Sequence, residues 1–171
     1  LFISLNNRWP RVRRLTITYI AEWVLGNKQD SSSHLLTPER DSDTGALLVR
    51  NCFARNGGET RAFMAASLPA HGFTTDGLEV FGEHWSPDSP PVGLAAVGLS
   101  DRVIPSARPC AAYQVHINLE PDASNQFHFV LGAAETRAKA ISLVALSQQP
   151  QWIDVKRTAV RERWAALPDV W

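Results

Sequence analysis

Alternation of apolar and polar residues is the feature that most constrains the fold of this chain. In the run RRLTITYIAEWVLG, every second residue from Leu15 to Leu25 is apolar or aromatic, and the residues between them are polar or β-branched. Side chains of a β-strand point alternately to opposite faces, and β-branched and aromatic residues favour strands. The run therefore predicts a long, half-buried strand that ends at Gly26-Asn27.

A second alternating pattern, RPCAAYQVHINLEPDASNQFHFVLG, extends from Arg108 to Gly132. It predicts a hairpin whose two strands flank a Pro-Asp turn and share one apolar face. On this prediction, His116 and His128 lie near each other on the polar face. The predicted apolar face consists of Tyr113, Val115, Ile117, Leu119, Phe127, Phe129 and Leu131.

The other N-terminal segments predict shorter strands separated by turns. LFISLNN, SHLLTPERD, TRAFMAAS and GLEVFG have strand character, and DSDTGALLVRN predicts a hairpin around Asp-Thr-Gly. LPAHGFTTD is typical of a loop. The segment 83–91, EHWSPDSPP, has three prolines and no periodicity. We expect a loop there, and loops of this kind carry binding residues.

After Gly132 the period of the pattern changes from that of a strand to that of a helix. ETRAKAISLVALS predicts one helix, and PQWIDVKRTAVRERWAALPD predicts a second that Pro168 ends. Strands followed by helices predict an antiparallel β-sandwich over residues 1–132 and a helical linker segment over 133–171. The predicted apolar stripe of the second helix consists of Trp152, Val155, Ala159, Trp164 and Leu167.

Composition excludes several classes of function. Hydrophobic residues make up 44% of the chain and the formal net charge is zero, so no overall basic field favours nucleic acid or an anionic membrane. The two cysteines, Cys52 and Cys110, form no CxxC pair, which argues against a disulfide scaffold and favours a reducing compartment. Because the chain begins at Leu1 in a strand-like pattern and ends at Trp171, we expect a fragment of a longer protein.

No set of polar residues in the sequence forms a complete reactive site. The five histidines form no HxxxH or HExxH motif, so we expect no metal and interpret His116 and His128 as solvated or second-layer polar residues. Arg108 could activate Cys110, but a small buried sulfur is the favoured interpretation. The carboxylates of the turn ERDSD, including Asp41, are expected to be solvated. RNGG at 55–58 lacks the Lys and Ser/Thr of a P-loop, and no cofactor is expected.

Six tryptophans are the most informative side chains for function. The C–H groups of a sugar ring stack on the negative π face of an indole. Trp23, Trp152 and Trp164 are predicted to be core residues. Trp85, which lies next to His84 in the proline-rich loop, is the candidate for sugar contact.

Several strings in this order resemble one known family. The chain resembles the N-terminal β-sandwich domain of glycoside hydrolase family 94, formerly glycosyltransferase family 36, and within it the phosphorylase-like region of cyclic β-1,2-glucan synthases. The resemblance implies a sandwich of the galactose-mutarotase type (a supersandwich), then linker helices and an (α/α) barrel that holds the catalytic Asp. The strings are RRLTITYIAEWVLG, TPERDSDTGALLVRN, LEVFG and RPCAAYQVHINLEPDASNQFHFVLGAAETRAKA, followed by a helix with tryptophans.

The resemblance also implies which residues lie near the sugar. Relatives tend to have GRNG where this chain has GEHW at 82–85, and the segment CFARNGGETRAF also departs from their usual pattern. Because these loops border the sugar site in the family, Arg55, His84 and Trp85 are the candidates for substrate contact. No catalytic residue is expected in this chain.

Three hypotheses about function follow from these observations. In the first, the chain is a non-catalytic domain of a family 94 enzyme, a glycosyltransferase or inverting phosphorylase, and supports binding of a β-glucan or oligosaccharide. Its expected partners are then the catalytic barrel and a second subunit, in the cytoplasm or at the cytoplasmic face of a bacterial inner membrane. In the second, it is an independent carbohydrate-binding module. In the third, it is a complete small hydrolase.

Overall fold

Two antiparallel sheets face each other in the computed structural model, which describes residues 1–26, 33–54 and 58–166. The first sheet has the strand order β1-β8-β5-β4-β3, and the second has the order β2-β7-β6. This architecture confirms the predicted mainly β sandwich. The strands are β1 Phe2–Asn6, β2 Arg13–Glu22, β3 Leu36–Arg40, β4 Leu47–Asn51, β5 Arg61–Ala66, β6 Gly72–Asp76, β7 Pro109–Leu119 and β8 Ser124–Ala134.

In the described ranges, three α-helices and two short 3-10 helices accompany the strands. Helix α1 packs near the second sheet, and α2 and α3 follow the last strand in sequence. None of the helices in the described ranges is long and apolar enough to cross a membrane. The helices are α1 Gly77–Phe81, α2 Arg137–Ser147 and α3 Trp152–Ala165, and the 3-10 helices are Ser33–Leu35 and Val92–Leu94.

The predicted long strand is confirmed as β2. It pairs with β7 over its whole length, from Arg13 opposite Leu119 to Glu22 opposite Cys110. Trp23, directly after the strand, is buried in the core as predicted. The hairpin expected around Asp-Thr-Gly is also confirmed, because β3 pairs with β4 across the turn 41–46.

The predicted hairpin between Arg108 and Gly132 is wrong. Its two halves are strands, but β7 pairs with β2 and β6 in one sheet, while β8 pairs with β1 and β5 in the other. The connection 120–123 therefore crosses between the sheets. An alternating sequence does not distinguish these arrangements, because two strands that face one core show the same pattern in one sheet or in two.

The inward faces of β7 and β8 form the centre of the core. The predicted apolar residues of both strands are buried there except Leu131, which is half exposed. Phe129 packs against Tyr19 and Tyr113, with ring centroids 5.2 and 6.3 Å apart. Such aromatic pairs contribute about 0.5–1.5 kcal/mol each beyond the burial of their area.

Two short segments were assigned the wrong structure from sequence. GLEVFG, predicted as a strand, forms α1, because the Asp76 carboxylate accepts a hydrogen bond from the amide of Leu78 and caps the helix. The end of LPAHGFTTD, predicted as a loop, forms β6. Its two threonines can be buried because their hydroxyl groups form hydrogen bonds. For example, Thr75 Oγ1 donates to the carbonyl of Ile104 at 2.8 Å.

Helix α2 is confirmed and covers the outer face of the first sheet. Ala140 and Val144 are fully buried against Leu48, Phe63 and Ala65. These small and branched side chains let the helix approach the sheet closely. The division of the chain at residue 132 stays a prediction, and β8 itself continues to Ala134.

Helix α3 is confirmed, but its predicted buried stripe is wrong. None of its side chains is buried, and Val155 and Trp164 are exposed. Trp152 is half-buried and stacks on His128, with ring centroids 5.8 Å apart. The predicted positions of Leu167 and Pro168 lie outside the described residues.

Asp41 connects the β3–β4 turn to helix α2. The carboxylate is buried, not solvated as predicted, and accepts hydrogen bonds from the amide and hydroxyl of Thr44 and from Arg137 Nη2. Burial raises the pKa of Asp41, but these hydrogen bonds and the Arg137 charge outweigh it, so the pKa lies below 3.8. Arg137 also pairs with Glu39, which pairs with Arg61.

We expect Asp41→Asn to lower the free energy of unfolding by about 2 kcal/mol at pH 7, since it removes charge-assisted hydrogen bonds. The pKa is lower in the folded state, so the charged group stabilises fully at neutral pH. That contribution decreases as the pH falls towards this lowered pKa, so the difference between the two proteins should be smaller at pH 3 than at pH 7. Urea unfolding at pH 7 and pH 3 measures the difference. Exposed Asp43→Asn is the control, and an equal loss at both pH values would contradict the prediction.

Candidate functional site

The proline-rich loop is held close to the second sheet by helix α1. Gly77 begins this helix against the backbone of Arg108, and a Cβ at that position would collide with the Arg108 carbonyl oxygen. Gly82, with a φ of 80°, ends the helix and starts the loop. The loop then runs to the 3-10 helix Val92–Leu94. The close approach at Gly77 and the positive φ of Gly82 therefore determine the position of the loop.

Trp85 is already engaged by its own loop. Its indole Nε1 donates a hydrogen bond to the carbonyl of Ser89 at 2.8 Å. Its ring packs on Phe81 with centroids 4.9 Å apart, and the guanidinium carbon of Arg108 lies 5.1 Å from the Trp85 ring centroid. The side chain is half-buried. Trp85 thus anchors the loop, and these contacts compete with stacking of a sugar on the same ring.

Arg108 links Phe81 and Trp85 to strand β2. Its Nε and Nη2 donate to the two carboxylate oxygens of Glu22 at 2.5 and 3.1 Å, and its guanidinium carbon lies 4.1 Å from the Phe81 ring centroid. The hydrogen bond to Glu22 raises the pKa of Arg108. Because both carboxylate oxygens of Glu22 accept hydrogen bonds from Arg108, the guanidinium group is held in place and has a structural role.

Two of the three predicted substrate contacts, His84 and Trp85, lie in the described part of the chain. His84 is exposed beside Trp85 in the loop. Arg55 lies outside the described residues, so its predicted role stays a prediction. Sequence reasoning missed the Arg108–Glu22 pair, because the two residues are 86 positions apart and no local pattern joins them.

His116 and His128, which were predicted to lie near each other on one face of a hairpin, lie in different sheets. His116 shares a hydrogen bond with Thr16 and packs against His71, with ring centroids 5.0 Å apart. His128 is buried, so the solvated interpretation is wrong for it, and its Nε2 donates to the carbonyl of Ser147 at 2.8 Å. Within residues 1–26, 33–54 and 58–166, no three His, Cys, Asp or Glu side chains form a group that could hold a metal ion.

Cys110 is a core residue, as the favoured interpretation predicted. It packs with Val80, Phe81 and Leu99 between α1 and the second sheet. Burial raises the pKa of its thiol to about 12, nearby carboxylates add to the shift, and Arg108 opposes it. Because the thiolate is the reactive form, this thiol is inert near neutral pH.

A groove between α3 and the first sheet is a surface that the sequence did not predict. Its volume is about 580 Å³, and Lys156, Arg157 and Arg161 line it together with apolar side chains. A sugar needs several hydrogen-bonding partners, whereas an apolar floor with a charged rim fits a protein surface. We call it the helix groove, and its apolar lining includes Phe63, Phe129, Leu131, Leu143, Ile153 and Val160.

The stacked antiparallel sheets, with helices after the last strand, define a β-sandwich domain. Sequence comparison supplies the family. The profile described as "Glycosyl hydrolase 94, supersandwich domain" matches residues 2–150. The chain therefore belongs to this family of carbohydrate-active enzymes, which confirms the resemblance noted from its sequence.

One curated relative extends the comparison. The chain is 26% identical over 133 residues to the cyclic beta-(1,2)-glucan synthase NdvB of Rhizobium meliloti (strain 1021). The aligned part is 78% of this chain but only 5% of that relative. The similarity thus concerns a small part of a much longer protein.

We expect thiol-specific alkylation of the native protein at pH 8 to modify Cys52 and spare Cys110. Cys52 is exposed, whereas Cys110 is buried and its thiol has a pKa of about 12. Mass spectrometry before and after unfolding in guanidinium chloride would find one modified thiol and then two. Cys52→Ser is the control and should leave the native protein unmodified. Native labelling of Cys110 at a rate like that of Cys52 would contradict its buried position.

Proposed function

We propose that this chain is the non-catalytic β-sandwich part of a longer carbohydrate-active enzyme, with a cyclic β-1,2-glucan synthase as the candidate parent. Membership of the family 94 supersandwich and similarity to a small part of one such synthase support this proposal. The catalytic groups then belong to the rest of that longer protein, and this chain supports its catalytic barrel. β-Glucan is the proposed substrate class of the whole enzyme.

The exposed apolar face of helix α3 is the observation that carries the scaffold role. Val160 and Trp164 lie one turn apart on the helix, and 54% and 71% of their surfaces are exposed. Val160 also lines the helix groove. Contiguous exposed apolar surface of this kind marks interaction sites in soluble proteins.

The proposed occupant of this surface is the catalytic portion of the same longer protein. The chain spans 5% of the synthase that it resembles, so most of that protein's surface lies outside this domain. Lys156, Arg157 and Arg161 beside the groove would face acidic side chains on the occupant. A second copy of the domain is an alternative neighbour, and it corresponds to the homodimer expected from the resemblance.

The scaffold role predicts that charge on this face harms the longer protein more than the isolated domain. We expect Val160→Glu/Trp164→Glu to shift the melting temperature of the isolated chain by less than about 3 °C, because both side chains are exposed. In the longer protein the same change should lower soluble yield and glucan synthesis at least five-fold. Thermal melts and product formation measure the two effects.

The matched control for that experiment is Leu94→Glu/Val97→Glu, which places the same two charges at exposed apolar residues away from α3. It should leave the longer protein unchanged. If the α3 variant behaves like this control in the longer protein, the scaffold role at α3 is wrong. Loss of folding in the isolated chain would also contradict the assignment of an unpartnered face.

A second experiment separates the scaffold from an independent carbohydrate-binding module. We expect calorimetric titration of the isolated chain with β-1,2-glucan oligosaccharides to show no binding at millimolar sugar, because Trp85 is engaged by Phe81, Arg108 and Ser89. Binding that Trp85→Ala abolishes, in a variant shown to be folded by circular dichroism, would establish the binding module instead. Phosphorolysis or hydrolysis of a β-glucoside by the isolated chain would establish a small enzyme.

A further inference from the structure

The connection between β1 and β2, together with the first two residues of β2, concentrates positive charge beside an exposed tryptophan. Arg8, Arg11, Arg13 and Arg14 lie within seven residues, and Trp9 stands among them. We call residues 7–14 the basic loop. The net charge of zero hides this concentration, because it sums over the whole chain and carries no information about position.

Asn7 holds the basic loop in one conformation. Its buried side-chain amide donates to the carbonyls of Arg11, Leu119 and Glu120 at 2.9–3.0 Å, and its Oδ1 accepts from the amide of Trp9 at 3.1 Å. The loop is therefore tied to the start of the connection 120–123. Its exposed residues are presented by a fixed backbone, which lowers the entropy lost on binding.

Two apolar side chains of the basic loop face solvent. Trp9 is 56% exposed and Val12 is 45% exposed. The guanidinium carbons of Arg11 and Arg13 lie 5.6 and 5.1 Å from the Trp9 ring centroid. The indole is thus flanked by cations, an arrangement that keeps apolar and positive groups together at one end of the sandwich.

The arginines of the basic loop differ from the paired arginines elsewhere in the domain. Arg61, Arg108 and Arg137 each form a salt bridge, whereas none of the four loop arginines does so with any carboxylate in the described ranges. The neighbouring connection carries two acidic residues, Glu120 and Asp122, whose backbones hydrogen-bond to Asn7. Four positive charges against these two leave a local excess that an anionic partner would neutralise.

We propose that the basic loop docks this domain on an anionic phospholipid bilayer. Tryptophan favours the headgroup region of a membrane, and each arginine near an anionic surface contributes about 1 kcal/mol. A groove of about 490 Å³ beside the loop has an apolar floor of Leu5, Leu15 and Leu119. Asn6, Arg8 and Arg13 stand around this floor, so the groove combines apolar surface with groups that bind phosphate.

The same geometry disfavours two other anionic partners. A sugar would need a bare indole face, but Arg11 and Arg13 lie over the Trp9 ring. A nucleic acid strand needs a track of cations along several phosphates, and here the excess charge is confined to one connection. A bilayer requires only that apolar and basic side chains project together from one end of the molecule, as they do here.

The test is co-sedimentation of the isolated chain with vesicles that contain phosphatidylglycerol and phosphatidylcholine in equal amounts. We expect binding to these vesicles at low salt, weaker binding as salt rises, and none to phosphatidylcholine alone. Arg8→Gln/Arg11→Gln should reduce partitioning about 25-fold, since about 1 kcal/mol per arginine is about five-fold each. Both side chains are exposed, so the variant should fold.

The matched control is Arg102→Gln/Lys139→Gln, which removes the same charge from exposed positions outside the basic loop and should reduce partitioning less than three-fold. Brominated lipid should quench the fluorescence of the wild type more than that of Trp9→Phe. Absence of binding to the anionic vesicles, or equal effects of the two charge variants, would overturn the proposal. Tighter binding of a single-stranded oligonucleotide than of vesicles would overturn it as well. None of these outcomes bears on the scaffold role of α3.

Discussion

The packing of β7 against β8 across the sandwich is the interaction on which the rest of the structure depends. Each strand lies between two others in its own sheet, and the buried ring of Phe129 contacts the buried rings of Tyr113 and Phe127. The connection 120–123 carries the chain directly from one sheet to the other. The sheets cannot separate without exposing this cluster, so its burial holds both of them in register with one core.

The outer faces of the two sheets are covered by different elements, and this explains why the reactive-looking residues are structural. Helix α2 covers the first sheet and buries His128 near its end, where the ring donates to Ser147. Helix α1 and its loop cover the second sheet and bury Cys110. The face of α3 and the basic loop both retain exposed apolar side chains, and these are the two proposed interaction sites.

Much of the secondary structure could be predicted, because periodicity is a local property. The long strand β2, the β3–β4 hairpin and both C-terminal helices follow from it. The failures have different causes, some local and some due to contacts distant in sequence. GLEVFG becomes a helix through the cap at Asp76, and Asp41 is buried because Arg137 reaches it from 96 positions away. At the candidate site, the sequence predicted the loop that carries Trp85, but it did not predict the contact between Trp85 and Arg108.

By itself, the sequence determined the class of fold, the change from strands to helices and the family, because each depends on the local order of residues. Only the tertiary structure decided that β7 and β8 belong to different sheets, since an alternating pattern is the same for a hairpin and for a crossing. It also determined which tryptophan side chains are held by neighbours and which are exposed to solvent. Trp85 is held by its neighbours and Trp9 is exposed beside arginines, because burial and charge density depend on what packs in space.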